Sequence, residues 1–168
     1  AFVGLILRAV NYAHHKMHDP LDTALDTFAI EAGAKRSRNK PMLSLPFDQS
    51  VALSGNIWHN GEKYDLVVKG APEHVLARSD LTENEREQAM AQLHKYTAEG
   101  YRVIAIAHRS LKKSITSFSQ LSTKEQLTFD GFVAVADILR PEAKRAISTA
   151  LKAGVTVRMI TGDHFEPA

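Results

Sequence analysis

Lys69-Gly70-Ala71-Pro72-Glu73 is the stretch of this 168-residue chain whose residue types and spacing best suit binding chemistry. It follows the strand-like run Tyr64-Asp65-Leu66-Val67-Val68, so a strand ends on a lysine. Gly70 frees the backbone there for a close approach or an unusual φ, and Pro72 stands where a helix begins. This places one cation at a sheet edge, where it either meets an anionic ligand or sits in solvent.

Other residues offer chemistry, each with a plainer structural account beside it. Arg102 opens the apolar run Arg102-Val103-Ile104-Ala105-Ile106-Ala107 and is either a ligand-facing cation or a snorkelling, salt-bridged arginine. Asp22 lies in the first turn of an expected helix, where a carboxylate complements the helix dipole; a ligand contact is the alternative. Phe47 and Trp58 are assigned to core packing, the usual fate of large aromatics. His14, His15 and His18 cluster but point in different directions on a helix and have no nearby cysteine, so they are read as surface histidines and no metal site is assigned. Lys35, Arg36, Arg38 and Lys40 form a basic stretch read as a solvated linker, with a phosphate-facing loop as the minority reading.

The elements that must position these residues follow from periodicity. Residues 2 to 17 carry apolar side chains three and four apart, as in an amphipathic helix. Asp19 as N-cap and Pro20 at the first helical position start a second helix that Gly33 stops. From Met42 the period falls to two. Leu43, Leu45 and Phe47 alternate, a strand covers Val51 to Trp58, and Asn60-Gly61 marks a hairpin leading to Lys69. The middle of the chain is therefore an antiparallel sheet. Pro72 starts a short helix to Ala77, and Ser79 or Thr82 caps a longer one, with Ala89, Met90, Leu93, Tyr96 and Thr97 on one face and Gly100 at its end. Ser110 to Ser122 is polar and read as a loop, and Thr128 to Val135 as a strand. Pro141 to Ala153 is helical with Ala143, Ala146, Ile147, Ala150 and Leu151 inward, and Val155 to Ile160 reads as a buried strand. A helix feeding such a strand is the local signature of a parallel α/β sheet, so the last thirty or so residues open a different architecture.

Composition narrows the class without choosing a function. The 21 basic and 19 acidic residues nearly cancel, which argues against nucleic acid or an anionic membrane as main partner. There is no cysteine, hence no disulfide framework. No apolar run approaches the roughly 18 residues that span a bilayer, so direct membrane insertion by this segment is not expected. The chain begins without methionine and stops just after Thr161-Gly162-Asp163-His164, so a piece of a longer polypeptide is expected.

Taken together, these motifs resemble those of the P-type cation-transporting ATPases. Lys69-Gly70-Ala71-Pro72-Glu73 is similar to the KGAPE motif of that family's nucleotide-binding domain, and Gly100-Tyr101-Arg102-Val103 looks like the family's strand-opening arginine segment. Leu45-Pro46-Phe47-Asp48 resembles the segment bearing its adenine-stacking phenylalanine, and Asp22 falls where the family has an acidic residue near adenine. Downstream, Asp137-Ile138-Leu139-Arg140-Pro141-Glu142 resembles the hinge into the phosphorylation domain, and Met159-Ile160-Thr161-Gly162-Asp163-His164 resembles its MITGDH strand end. The matches occur in family order over most of the chain.

The resemblance implies an α+β fold, a twisted antiparallel sheet flanked by helices, as the nucleotide-binding domain over residues 1–136. Residues 137–168 would then hold the hinge and a helix-strand piece of a Rossmann-like, haloacid dehalogenase-like phosphorylation domain. It implies ATP bound by Asp22, Phe47, Lys69, Gly70 and Arg102, with Asp137, Arg140, Thr161, Gly162 and Asp163 as hinge and phosphorylation-domain contacts. Mg²⁺ would serve the full-length enzyme. The partners would be the phosphorylation, actuator and membrane domains of one pump polypeptide, on the cytoplasmic side of the plasma membrane. The chain lacks the family's DKTGT, TGES and GDGxND motifs, so no catalytic residue is assigned to it and ATP would be held without turnover. It also departs from the family between Asp48 and Ser54, where basic residues are common and here there is none. A non-catalytic nucleotide-sensing module and a structural interaction domain are the alternatives.

Overall fold

The computed structural model describes residues 2–10, 19–37, 39–121, 126–136 and 141–158. Five strands form one sheet in chain order: β1 (Leu43–Asp48), β2 (Leu53–Asn60), β3 (Lys63–Gly70), β4 (Arg102–Leu111) and β5 (Thr128–Val135). Every neighbouring pair is antiparallel, as the alternating patterns and the hairpin signal require. Because strand side chains alternate in direction, β3 sends Leu66 and Val68 to one face and Val67 and Lys69 to the other.

Each face is covered. On one, Leu45, Leu53, Ile57, Leu66 and Val68 pack with Val75 of α3 (Pro72–Ala77). On the other, Trp58, Val67, Ile106 and Val133 pack against α1 (Phe2–Ala9) and α2 (Pro20–Glu31). A helix C-terminus leaves carbonyls without intrahelical donors. Here β2 supplies them: Asn56 Nδ2 donates to Arg8 O at 2.9 Å and Val10 O at 2.6 Å, and Trp58 Nε1 donates to Arg8 O at 3.0 Å. The Arg8 guanidinium lies 5.3 Å from the Trp58 ring and pairs with Asp65 at 3.1 Å. The C-terminal end of α1 is thus tied to the hairpin half of the sheet.

The starts of α2 and of α4 (Glu83–Ala98) follow the expected capping chemistry. Asp19 Oδ1 accepts from Leu21 N, and Thr82 and Glu85 form a reciprocal capping box. That box holds the Glu85 carboxyl below its ordinary range, chiefly through the Thr82 hydroxyl and then its backbone N–H. Gly100, just past α4, takes a φ of 80° as expected of a helix stop.

Several expectations change. In the hairpin, Asn60 stays in β2 opposite Lys63, and the turn falls on Gly61 and Glu62, with Gly61 at a φ of 62°. The segment after β4 contains a short 3-10 turn, Phe118–Gln120, and it buries Ile115 and Phe118 in the core, which its polar composition hid. Lys35, Arg36 and Lys40 are exposed, as a solvated linker requires, and Arg36 in addition reaches back to pair with buried Asp26. At the C-terminal end α5 (Pro141–Lys152) forms, but its apolar face is not inward: Ile147 is 46% and Leu151 58% exposed. Residues 155–158 are not paired as a strand, and Val155 and Val157 are exposed. A strand buried on both faces needs sheet neighbours, and the five-stranded order includes none for this stretch.

Candidate functional site

The register of the sheet brings most of the candidate residues to one end. Asp48 lies opposite Leu53, Leu53 opposite Gly70, and Gly70 opposite Ala105, so the end of β1, the start of β2 and the end of β3 form one row with β4. At about 4.8 Å per strand this row spans about 14 Å. Phe47 is next to Asp48, Lys69 is next to Gly70, and Arg102 lies three residues beyond Ala105, about 10 Å past the end of β3.

Lys69 is not at a sheet edge. It occupies the middle strand, is only 6% exposed, and faces the side of the sheet covered by α1 and α2. Its ammonium lies 3.0 Å from Asp22 Oδ1 and donates to Ser54 Oγ at 2.9 Å. Asp22 is 4% exposed, because the Asp19 cap and Pro20 set the first turn of α2 down against the sheet. The carboxylate therefore meets a helix dipole, as expected, and also a lysine from the strand beneath it. Two charges removed from water hold together only if each compensates the other and their hydrogen bonds are made. Lys69 and Asp22 compensate each other in charge, and Ser54 takes a hydrogen bond from the ammonium.

Phe47 does not join the core. Strict alternation with Leu43 and Leu45 would turn it inward, but the β1–β2 register shifts between Leu45 and Asp48, where Pro46 interrupts the edge strand. The bulge leaves Phe47 61% exposed, while Trp58, expected in the core on the same grounds, is buried. Arg102 is exposed at the first position of β4. Gly70 has no positive φ; its need for glycine is a close approach, since a Cβ there would overlap the Ala52 carbonyl oxygen and crowd Leu53. The same carbonyl accepts from Ala71 N at 3.1 Å, so the turn after β1 docks onto the Gly70-Ala71 backbone.

That turn carries a carboxylate and no cation. Asp48 accepts from the Ser50 hydroxyl at 2.6 Å and the Ser50 backbone N–H at 2.9 Å, which hold its carboxyl below its ordinary range. The site therefore offers one exposed aromatic ring, a buried and compensated ammonium, and an exposed guanidinium. A set of this kind can take a flat ligand on the ring and a polar or anionic group on the cation. Among the described residues no group of three His, Asp or Glu could hold a metal ion. Asp137, Arg140, Thr161, Gly162 and Asp163 lie outside the described residues.

Ser54 is the residue the sequence reading missed. The signal was the hairpin: a turn on Gly61 and Glu62 pairs Asn60 with Lys63 and hence Ser54 with Lys69, whereas a turn on Asn60 and Gly61 would put Ala52 there. One residue of turn placement decides which side chain stands beside the lysine.

Comparison with known proteins agrees with this architecture. The family model described as P-type ATPase, cytoplasmic domain N, matches residues 8–142. Among curated relatives, a calcium-transporting ATPase of Bacillus subtilis is 32% identical over 165 residues, covering 89% of this chain and 18% of its own length. The sodium/potassium exporting P-type ATPase cta3 of Schizosaccharomyces pombe is 33% identical, covering 73% of this chain and 13% of its own length. The probable cation-transporting ATPase 13A5 of Homo sapiens is 32% identical, covering 83% and 12%. The chain thus spans less than a fifth of the length of each of these relatives. A sheet meander with helices on both faces, the ordered series of motifs and the match across most of its length lead to one assignment: the chain belongs to the P-type cation-transporting ATPases and carries their cytoplasmic domain N.

Proposed function

We propose that this chain binds ATP at the Gly70 end of its sheet and presents the phosphates to an aspartate elsewhere in a cation-transporting pump polypeptide. The observation that carries this reading is Phe47, a phenylalanine turned out of the core by a bulge, at the end of the sheet that holds Lys69 and Arg102. An aromatic face of this kind contributes about 1 to 3 kcal/mol when a base stacks on it. Asp22 would accept from the adenine amine, Lys69 would donate to the nucleotide, and Gly70 would keep the neighbouring backbone close. Arg102, at the outer limit of the site, would grip phosphate oxygens with its planar fork.

The remaining parts of the reading concern the larger polypeptide. Asp137 and Arg140 would act at the hinge, and Thr161, Gly162 and Asp163 would meet the nucleotide from the phosphorylation domain. Mg²⁺ would arrive with the phosphates and supply charge neutralisation for phosphoryl transfer. No helix among the described residues is long and apolar enough to cross a membrane. In this reading the domain works at the cytoplasmic side of the plasma membrane, attached to actuator, phosphorylation and membrane domains, and by itself holds ATP without turnover.

A ¹⁵N NMR titration with ATP, ADP and AMP tests it. Shifts concentrated at Asp22, Phe47, Lys69, Gly70 and Arg102 are expected, with no phosphate release when Mg²⁺ is added. Silence at millimolar ATP would overturn the binding reading, and robust turnover by this chain would overturn the division of labour.

A further inference from the structure

We propose that Ser54 is a positioning residue for Lys69: beside the Asp22 charge, its hydrogen bond holds the buried ammonium in place for the nucleotide. The proposal rests on the ATP-binding reading above and adds to it a residue and a role. An ammonium carries three protons on a rotor that a single carboxylate does not orient. Asp22, reaching down from α2, supplies the opposite charge at 3.0 Å. Ser54, on β2, supplies a second acceptor at 2.9 Å from a different direction, directly across the β2–β3 ladder. The Asp22 charge and the single hydrogen bond to Ser54, coming from two separate elements, together restrict where the ammonium can sit.

The surroundings make this hydroxyl hard to replace by chance. Ser54 is 4% exposed, so water does not readily substitute for it. A buried hydroxyl is retained when it is hydrogen-bonded, and its bond here is to Lys69. Its neighbours along the strand cannot do the same work. Leu53 faces the opposite core, and Gly55 has no side chain and no room for one, since a Cβ would overlap the Val67 carbonyl oxygen. The ladder also fixes Ser54 as strongly as it fixes Lys69, because both belong to the same continuous antiparallel pairing. Ser54 thus acts on the ligand through Lys69, without touching it.

The test combines side-chain and binding measurements on the 168-residue chain. In the unaltered protein the Lys69 ammonium protons should exchange with water slowly enough to give a separate ¹⁵N-correlated signal in the cold. Ser54→Ala should keep a dispersed amide spectrum, speed that exchange, and weaken ATP binding about three- to tenfold. Ser54→Thr, which keeps the hydroxyl, should restore both. If Ser54→Ala does not fold, Ser54→Cys takes its place, with similar volume and a poorer acceptor. Unchanged exchange and unchanged affinity overturn the proposal. So does a Ser54→Thr chain as impaired as Ser54→Ala, since the effect would then belong to packing. If the unaltered chain ignores ATP, the binding reading itself has failed, and the ammonium exchange alone decides whether Ser54 holds Lys69.

Discussion

The two ends of the sheet use the same residue types to opposite effect. At the hairpin end an aromatic ring, an arginine and an aspartate close on one another: Trp58 lies under Arg8, Arg8 pairs with Asp65, and the indole N–H caps α1. At the Gly70 end an aromatic ring, two cations and an aspartate are also present, and Lys69 and Asp22 close on one another. Phe47 and Arg102 remain exposed. The first set is committed to holding the helices on the sheet. The second keeps the apolar face of Phe47 exposed to solvent.

This contrast predicts a separation between stability and binding. The largest effect is expected for Trp58→Ala, which removes a buried indole, its hydrogen bond and its cation–π contact. It should lower unfolding free energy by about 3 to 5 kcal/mol. Trp58 is the single tryptophan, so urea unfolding of the variant is followed by far-ultraviolet circular dichroism. Phe47→Ala should change stability by no more than about 0.5 kcal/mol, as surface substitutions do, while weakening ATP binding by about 1 to 3 kcal/mol. Equal losses of stability at the two positions would break the comparison. A Phe47→Ala chain that binds ATP normally would remove the functional meaning of the open end.

The smallest effect is electrostatic and local to the turn beside Phe47. Ser50 lowers the Asp48 carboxyl, so the bond favours the folded turn above the carboxyl's unfolded titration range. That contribution is lost as pH falls through the folded value. Ser50→Ala should raise the Asp48 titration midpoint, read from its side-chain carboxyl ¹³C shift, with little change in global stability. A midpoint that does not move would mean that Ser50 is not what holds the carboxylate.

Legibility differed by the range of the interaction. Helix starts at Asp19 and Thr82, the strand from Thr128 to Val135 and the helix from Pro72 to Ala77 were readable because capping, proline and alternation act within a few residues. The expected C-terminal strand from Val155 is not formed over residues 155–158, for the opposite reason. An apolar run states what a segment would bury, and only neighbouring strands decide whether it does so.

The same division runs through the candidate site. By itself the sequence determined that a lysine would end a strand, that a glycine would follow it, and that an acidic residue would sit in the first turn of α2. It also carried the ordered motifs of a P-type ATPase. Only the tertiary structure decided that Lys69 lies in the middle strand and is buried against Asp22, because strand order and the seating of α2 are long-range outcomes. It also decided that Phe47 leaves the core, through a one-residue bulge, and that Ser54 stands beside Lys69, through a one-residue choice of turn. In a sheet with a period of two, a single residue of register exchanges inside for outside, and local propensity is too weak to fix it.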